Sequence, residues 1–246
     1  MKADPFVQLK LLDLQELDSA AHRLQVRRAG LPAHAAISEA DAALAEARSE
    51  LVTHQTAISD EGRAAAKLES DIEQVRARAA RDQQRLDSGA VVAKEMESLQ
   101  SEIASLGRRQ TTLEDEELEI LERREQAETA AAQAQRRIDE LEARRSASVE
   151  ERDRELAVID AEEAGVAARR ADVVPALPGD LLALYERLRA DRGGVGAAAL
   201  VRRRCEGCHL ELAGNDLTEV RAAAPDEVLR HEDCGRILVR TAESGL

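Results

Sequence analysis

The sequence predicts a mainly α protein, a long antiparallel coiled-coil helical hairpin followed by a small carboxyl-terminal β module. Three observations lead to this prediction. Charged residues make up 34% of the chain and aromatic residues 1%, a composition typical of long helices rather than of one large globular core. Apolar residues recur every seven positions through two long segments, which is the repeat of a coiled-coil seam. All three cysteines lie in the last part of the chain, from Cys205 onward.

The amino-terminal stretch predicts an amphipathic helix over 5–29. Its apolar residues return at helical spacing, at Phe6, Leu9, Leu12, Leu14, Leu17 and Leu24. Gly30-Leu31-Pro32 then interrupts the helix, because proline cannot continue the hydrogen-bond ladder of the preceding turn and restricts the residue before it. We therefore expect a kink near 30–32.

Two heptad registers follow, and they are separated by one strong turn signal. The first register consists of Leu44, Leu51, Ile58, Ala65, Ile72, Ala79 and Leu86, and the second of Leu99, Leu106, Leu113, Ile120, Ala127, Ala134 and Leu141. Asp87-Ser88-Gly89-Ala90 predicts a turn near 87–91. Each arm has roughly 80 helical residues and spans about 120 Å. Matched arms favour an intramolecular antiparallel hairpin and a monomer, with a parallel homodimeric rod as the alternative.

The carboxyl-terminal third is divided by proline and glycine. Val174-Pro175-Ala176-Leu177-Pro178-Gly179 ends the long helix, and a short apolar helix follows. Gly193-Gly194-Val195-Gly196 is a connector, after which short apolar runs predict small strands. The expected organisation is a hairpin over 1–174, a connecting helix over 175–192 and a β module over 193–246.

The strongest chemical signal is a pair of metal-ligand knuckles, Cys205-Glu-Gly-Cys208 and His231-Glu-Asp-Cys234. Two pairs of ligands, each three positions apart, can close a tetrahedron around one Zn²⁺ ion. His209 directly follows Cys208 and is a competing ligand, although the knuckle spacing favours His231. Four protein ligands predict a structural ion, because a catalytic zinc keeps one position open for water. The sequence predicts no catalytic residue.

Two clusters of basic residues are candidate contact sites. Arg202-Arg203-Arg204 precedes the first knuckle and could contact nucleic acid or another anion, although solvated strand residues would give the same pattern. Arg81, Arg85 and Lys94 lie near the hairpin turn and could form a partner-binding tip, although surface charges usually only solvate a helix. A formal net charge of −14 opposes binding to a phosphate backbone outside such clusters.

Cysteine usage and hydropathy predict a cytoplasmic protein. Thiols that serve as metal ligands fit a reducing compartment. Acidic and basic residues interrupt the first twenty positions, so the uninterrupted apolar stretch of a signal peptide is missing. No window resembles a membrane span.

The order of these parts resembles a bacterial family of long helical hairpins that end in a zinc ribbon. The resemblance rests on the segment from Lys94 to Ile103, on Leu113-Glu-Asp-Glu116, on the segment from Pro178 to Arg187, and on both knuckles. It implies a site with four cysteines in much of the family, with His231 at the fourth position here. It also implies nucleic-acid binding or adaptor work with assembly machinery, and the arginine-rich composition resembles an actinobacterial member.

The sequence favours a non-enzymatic adaptor that presents a zinc ribbon on a coiled coil and binds protein partners. It shows no grouping of a nucleophile, a base and an orienting residue. The alternative hypothesis is a nucleic-acid-binding protein that uses the arginine-rich ribbon.

Overall fold

The computed structural model describes all residues, 1–246, as five α-helices and four short strands. The helices are α1 (Pro5–Ala29), α2 (Pro32–Asp87), α3 (Ala93–Val173), α4 (Gly179–Asp191) and α5 (Gly214–Ala222). The strands are β1 (Ala197–Val201), β2 (Arg204–Cys205), β3 (Leu229–Arg230) and β4 (Ile237–Arg240). A single 3-10 turn, Val174–Ala176, joins α3 to the segment before α4. The predicted fold class, a helical hairpin with a small carboxyl-terminal β module, is confirmed.

The chain forms two compact units. Residues 35–149 form one, here called the hairpin unit, and residues 1–34 together with 150–246 form the other, the ribbon unit. The sequence instead predicts three consecutive segments. The compact units differ from the predicted segments because α1 packs against the carboxyl-terminal strands.

In the hairpin unit, α2 and α3 run antiparallel, joined by residues 88–92, where the sequence predicts the turn near 87–91. Arginines of one helix pair with carboxylates of the other along its length. These pairs are Arg145–Asp41, Arg48–Glu142, Arg137–Glu50, Arg123–Glu61, Arg76–Glu114, Arg78–Glu102 and Arg85–Glu95. Exposed ion pairs contribute about 0–1 kcal/mol each, so their main effect is to favour one orientation and register of the helices.

The heptad residues of the two helices face the interior of the hairpin unit. Leu44, Ala47 and Ile138 form a buried cluster, against which Leu51 and Leu141 pack. Further along the seam, buried positions include Ile72, Leu99, Leu113, Ile120 and Ala134. The remaining positions of both predicted registers are half-buried rather than exposed.

In the ribbon unit, the strands form one sheet of order β2-β1-β4-β3. The central strands β1 and β4 are parallel, and the edge strands β2 and β3 each pair antiparallel with their neighbour. Alternate residues point to opposite faces of the sheet. Ala197, Ile237 and Val239 face a core that contains residues of α1 and α4 together with Leu177. Ala198, Leu200 and Leu238 face a second core that contains Cys205 and residues of α5.

Polar side chains of α1 join that helix to the ribbon. Gln15 Oε1 accepts a hydrogen bond from the Gly196 amide at 2.7 Å, and Gln15 Nε2 donates to the Gly194 carbonyl at 2.9 Å. Gln8 Nε2 donates to the Ala3 carbonyl at 2.9 Å and, at 3.3 Å, to that of Pro225. Both glutamines are buried. They therefore satisfy backbone groups that would otherwise be left without partners inside the ribbon unit.

Asp18 of α1 lies at the centre of a buried charged network. Its carboxylate accepts hydrogen bonds from Tyr185 Oη at 2.7 Å and from Arg170 Nε at 2.8 Å. Arg170 and Arg189 both also pair with Glu186. Burial, and then the hydrogen bond to Asp18, raise the pKa of Tyr185 above its ordinary value. The Asp18 network joins α1, α3 and α4.

No helix is both long and apolar enough to cross a membrane.

Candidate metal centre

The two knuckles lie at the edges of the sheet. Cys205 ends β2 and Cys208 lies in the turn that follows it, whereas His231 and Cys234 lie in the connection between β3 and β4. Because β1 and β4 pair at the centre of the sheet, both knuckles belong to one small framework. Residues far apart in the sequence are thereby brought to one place.

The two knuckles share one backbone geometry. In the first, the His209 amide donates to the Cys205 carbonyl at 2.8 Å, and in the second the Gly235 amide donates to the His231 carbonyl at 2.7 Å. The residue after each second ligand has a left-handed backbone, with φ of 61° at His209 and 70° at Gly235. Glycine adopts this conformation freely, whereas it costs other L-residues about 1–2 kcal/mol.

The side chains of Cys205, Cys208, His231 and Cys234 converge. Their four ligand atoms all lie within 4.8 Å of one another. His231 Nδ1 is 3.3 Å from Cys208 Sγ and 3.2 Å from Cys234 Sγ. Cys205 and His231 are almost fully buried. The structure thus forms a small, enclosed set of three sulfurs and one ring nitrogen.

The surroundings of His231 indicate which kind of ion these four donors would bind. Nδ1 faces sulfur atoms, and the buried Nε2 has no hydrogen-bond partner. Asp233 Oδ2 lies 3.5 Å from Nε2 but without hydrogen-bond geometry. A buried imidazole without ordinary partners is explained if Nδ1 binds a metal ion. Three thiolates and one imidazole are soft and borderline donors of the kind that Zn²⁺ binds in tetrahedral sites. The donor set is positioned for one zinc ion and fills its four positions.

The pKa values of two thiols show why a cation matters here. Burial raises the pKa of the Cys205 thiol to about 12, against opposing hydrogen bonds from the Gly207 and Cys208 amides. Burial also raises that of Cys234, but hydrogen bonds from the Arg236 amide and from His231 outweigh it and lower the pKa to about 7. Charging the buried Cys205 thiol is therefore unfavourable without a nearby positive charge. A bound Zn²⁺ supplies that charge and deprotonates coordinating thiols.

His209 lies outside the converging set. Its side chain is 61% exposed, and its Nδ1 is 4.0 Å from Glu206 Oε2. The left-handed backbone directs the chain into the turn and leaves this imidazole at the surface. His22 and His54 lie on α1 and α2, and His34 Nε2 is 3.1 Å from the Arg28 carbonyl oxygen.

Six of the seven arginines from residue 193 onward fall into two groups. Arg230, Arg236 and Arg240 donate to backbone carbonyls, and Arg240 alone reaches those of Val220, Ala223, Ala224 and Glu227. Arg202 and Arg203 are exposed in the turn between β1 and β2, Arg204 is exposed at the start of β2, and none of the three forms an ion pair. Within this second group, only the Arg203 side chain makes a hydrogen bond, 3.3 Å long, to the Gly245 carbonyl.

The predicted tip residues lie around the loop between α2 and α3. Arg85 pairs with Glu95, whereas Arg81 and Lys94 are exposed and form no ion pair. An apolar feature beside them was not predicted from the sequence. Val92 is 69% exposed and Met96 40% exposed. A run of small and branched residues, Ala90-Val91-Val92-Ala93, is the sequence signal that could have shown it.

Two family models match the chain. The model of the CT398-like coiled coil hairpin domain matches residues 14–193, and that of the C4-type zinc ribbon domain matches residues 204–238. His231 stands where a C4-type ribbon has a fourth cysteine. The substitution keeps a metal donor but replaces a thiolate with a neutral imidazole, so the net charge of a zinc-loaded site is one unit less negative.

Similar proteins are found in several bacteria. The uncharacterized protein Rv2229c of Mycobacterium tuberculosis is 38% identical over 240 residues, covering 98% of each chain. A structurally characterized protein of Mycobacterium smegmatis is 36% identical with a TM-score of 0.86, covering 98% of this chain and all of its own. CT398 of Chlamydia trachomatis has a TM-score of 0.74 at 19% identity, covering 96% of this chain and 98% of its own, a likeness of fold alone.

Proposed function

The chain belongs to the family of CT398-like coiled-coil hairpin proteins with a carboxyl-terminal zinc ribbon, and on that premise we propose that it is a non-enzymatic adaptor for protein partners. The observation that carries the proposal is the set of four donors at Cys205, Cys208, His231 and Cys234. Four protein ligands complete a tetrahedral zinc site, which leaves no position for a substrate or an activated water. The ion would then maintain the shape of a surface that binds other molecules.

Each unit offers a surface suited to contact. In the hairpin unit, the exposed Val92 and Met96 lie near the α2–α3 loop, as do the basic residues Arg81, Arg85 and Lys94. An apolar patch within a polar rim is the usual composition of a protein interface. In the ribbon unit, Arg202 and Arg204 are exposed and unpaired. Two separate surfaces support an adaptor rather than a single-site binder.

Cross-linking of the tagged protein in extract of its own cells, followed by mass spectrometry, tests the adaptor proposal. The hairpin variant is R81E/K94E, the ribbon variant is R202E/R204E, and the control is R136E/R144E, which reverses two exposed helical arginines without ion pairs. We expect the first two variants each to lose a different cross-linked protein, and the control to lose none. Retention of every partner by both variants would contradict the proposal, provided that their zinc content is unchanged.

A second candidate function is binding of nucleic acid through the ribbon. Arg202, Arg203 and Arg204 favour it, because they are adjacent, exposed and free of acidic partners. Fluorescence anisotropy with single-stranded RNA and duplex DNA across a salt series tests this candidate. Phosphate binding by these residues predicts an affinity that falls steeply with salt, and a slope that decreases by about one for each arginine replaced with glutamine. Absence of binding at low salt excludes it.

We also propose that the adaptor acts in the cytoplasm as a monomer. Thiols used as metal ligands support a reducing compartment. The seam residues Leu44 and Ile138 pack against each other within one chain, so the apolar stripes of the hairpin unit do not need a second copy. Light scattering should give a mass near 26.8 kDa, and a mass about twice as large would contradict the monomer.

A further inference from the structure

We infer that a pocket beside the second knuckle binds an arginine or lysine side chain from a peptide segment of a protein partner. The inference rests on the proposed adaptor function and specifies the chemistry of the partner at the ribbon. The pocket, here called the ribbon pocket, is a cavity of about 280 Å³. It is lined by residues of α5, of β3 and of the second knuckle.

The floor of the ribbon pocket is apolar. Leu212, Val220 and Leu238 are buried there, and Val228 and Leu229 are half-buried. An aliphatic floor suits the methylene stem of lysine or arginine, which packs on apolar surface while its charged end stays near water. A purely polar ligand would gain little from these contacts.

The rim of the ribbon pocket is acidic. Its carboxylates belong to Asp216, Glu219, Glu227 and Glu232, and none of them forms an ion pair. The one basic residue of the lining is Arg230, whose Nε donates to the Gly235 carbonyl at 2.9 Å. The rim therefore carries unneutralised negative charge, which attracts a cation and repels phosphate. This surface is chemically opposite to the Arg202–Arg204 turn of the same ribbon.

His231 supplies an independent observation that points to a peptide. Its imidazole forms part of the pocket wall and is 2% exposed. When Nδ1 binds the metal ion, Nε2 carries the proton and becomes a hydrogen-bond donor. That donor is buried and makes no hydrogen bond in the structure, and the carboxylate oxygen Asp233 Oδ2 lies 3.5 Å from it without hydrogen-bond geometry. Once the covering side chains move aside, a backbone carbonyl next to the bound basic side chain would accept its hydrogen bond, which an isolated cation cannot do.

The size of the ribbon pocket supports a single side chain as the occupant. Pockets for small organic ligands usually measure about 300–1,000 Å³ and enclose most of the ligand. At about 280 Å³, the ribbon pocket lies just below that range. An extended peptide could place one basic side chain in it while the rest of the peptide crosses the rim.

Fluorescence anisotropy with the zinc-loaded full-length protein tests the inference. The probe is a labelled glycine-serine peptide that carries arginines, compared with a lysine version and with a version in which glutamine replaces each arginine. The test variant is E219Q/E232Q, which neutralises two exposed rim carboxylates. The matched control is E150Q/E151Q, which removes the same charge from exposed positions of α3 that form no ion pairs. Zinc content and helix content should be unchanged in both variants.

We expect the arginine and lysine peptides to bind and the glutamine peptide not to bind. The E219Q/E232Q variant should bind about tenfold more weakly, the effect of losing a hydrogen bond to a charged group, while E150Q/E151Q should match the wild type. Equal weakening in both variants would reduce the effect to general attraction by an acidic protein and overturn the inference. Equal affinity in E219Q/E232Q and wild type, or no peptide binding, would also overturn it.

A competition arm identifies the kind of ligand. Agmatine and spermidine carry the cationic group on an aliphatic stem but have no backbone carbonyl, so they should compete poorly. Competition as strong as that of the unlabelled peptide would overturn the assignment to a protein partner.

Failure of this inference differs from failure of the adaptor proposal. If the ribbon pocket binds no basic peptide but the R81E/K94E and R202E/R204E variants still lose cross-linked partners, the adaptor proposal stands alone.

Discussion

His209 has a left-handed backbone that glycine would adopt more easily. The equivalent position of the second knuckle is Gly235, and both amides close the same turn. An exposed imidazole that makes no close contact gives His209 no compensating interaction. At the residue scale, the two knuckles therefore differ in strain although they share geometry.

The His209→Gly variant should stabilise the zinc-loaded ribbon unit by about 0.5–1 kcal/mol. Relief of the left-handed strain outweighs the added freedom of glycine in the unfolded chain. Urea unfolding, followed by the fluorescence of Tyr185, the only tyrosine in a chain without tryptophan, measures the change. Zinc content should stay at one ion per chain. Loss of zinc would instead identify His209 as a ligand. The opposite change at the equivalent position of the second knuckle, Gly235→Ala, should destabilise the ribbon unit.

The Asp18→Asn variant should destabilise the ribbon unit by about 2–3 kcal/mol. Asp18 is buried, and its loss of charge leaves Arg170 and Tyr185 without their charged acceptor. The value lies below the roughly 3–5 kcal/mol typical of a broken buried pair, because Arg170 is partly exposed and keeps Glu186. Urea unfolding followed by circular dichroism, compared with Tyr185→Phe and the double variant, gives the coupling energy, since Tyr185→Phe removes the fluorescent probe. Additive effects of the two substitutions would contradict a shared network.

At the scale of elements, the heptad pattern predicts the long helices well because it reports directly which face is buried. The polar residues that interrupt the apolar pattern differ in whether they find a hydrogen-bond partner. Glu61, a polar residue between the register positions Ile58 and Ala65, receives two hydrogen bonds from Arg123. Asp82, at another such position, has a buried Oδ2 without a partner. Paired and unpaired polar residues look alike in the sequence, since their partners lie on the other helix.

Helix α5 and the packing of α1 against the ribbon could not be predicted from the sequence. Helix α5 has nine residues and no side-chain hydrogen bond at its start, so its local signals are too weak to distinguish it from a loop. The position of α1 was missed because Gln8, Gln15 and Asp18 resemble solvent-facing residues of a helix. Their partners, such as Gly196 and Tyr185, lie far along the chain. The metal-ligand spacing, in contrast, is local, and it indicated the residues that converge.

Arg240 stabilises α5 from a neighbouring strand. Its guanidinium donates to carbonyls at the end of that helix, including Ala223 at 2.8 Å and Ala224 at 2.5 Å. The Arg240→Met variant should weaken α5 by about 1–2 kcal/mol, since the last carbonyls lose both their donors and a favourable charge. Hydrogen exchange of the α5 amides measures this loss. Arg221→Met, on the same helix and without such contacts, should leave exchange unchanged, and equal effects would contradict the capping role.

At the scale of the whole molecule, zinc and helix packing stabilise different faces of one sheet. The face with Ala197, Ile237 and Val239 is covered by α1 and α4. The opposite face shares its core with Cys205, Cys208 and Cys234. A ribbon of about fifty residues would depend almost wholly on its metal if isolated. In this protein, the core on the face with Ala197, Ile237 and Val239 is also stabilised by packing against α1 and α4, which does not involve the metal.

Removal of zinc by a chelator should therefore open the ribbon unit in part. We expect faster hydrogen exchange in both knuckles, α5 and β3, with α1 and α4 remaining protected because their apolar contacts do not involve the metal. Mass spectrometry of exchanged peptides, with residues 35–149 as the internal control, measures this pattern. Uniform loss of protection across the ribbon unit, or no change at the knuckles, would contradict the division of the sheet into two cores.

X-ray absorption at the zinc edge of the purified protein tests the central claim most directly, that a closed metal site shapes a binding module. The account predicts one zinc ion per chain surrounded by three sulfurs at about 2.3 Å and one nitrogen at about 2.0–2.1 Å. Those donors are Cys205, Cys208, Cys234 and His231. Protein without zinc, or zinc with a water oxygen in place of one of these ligands, would contradict it.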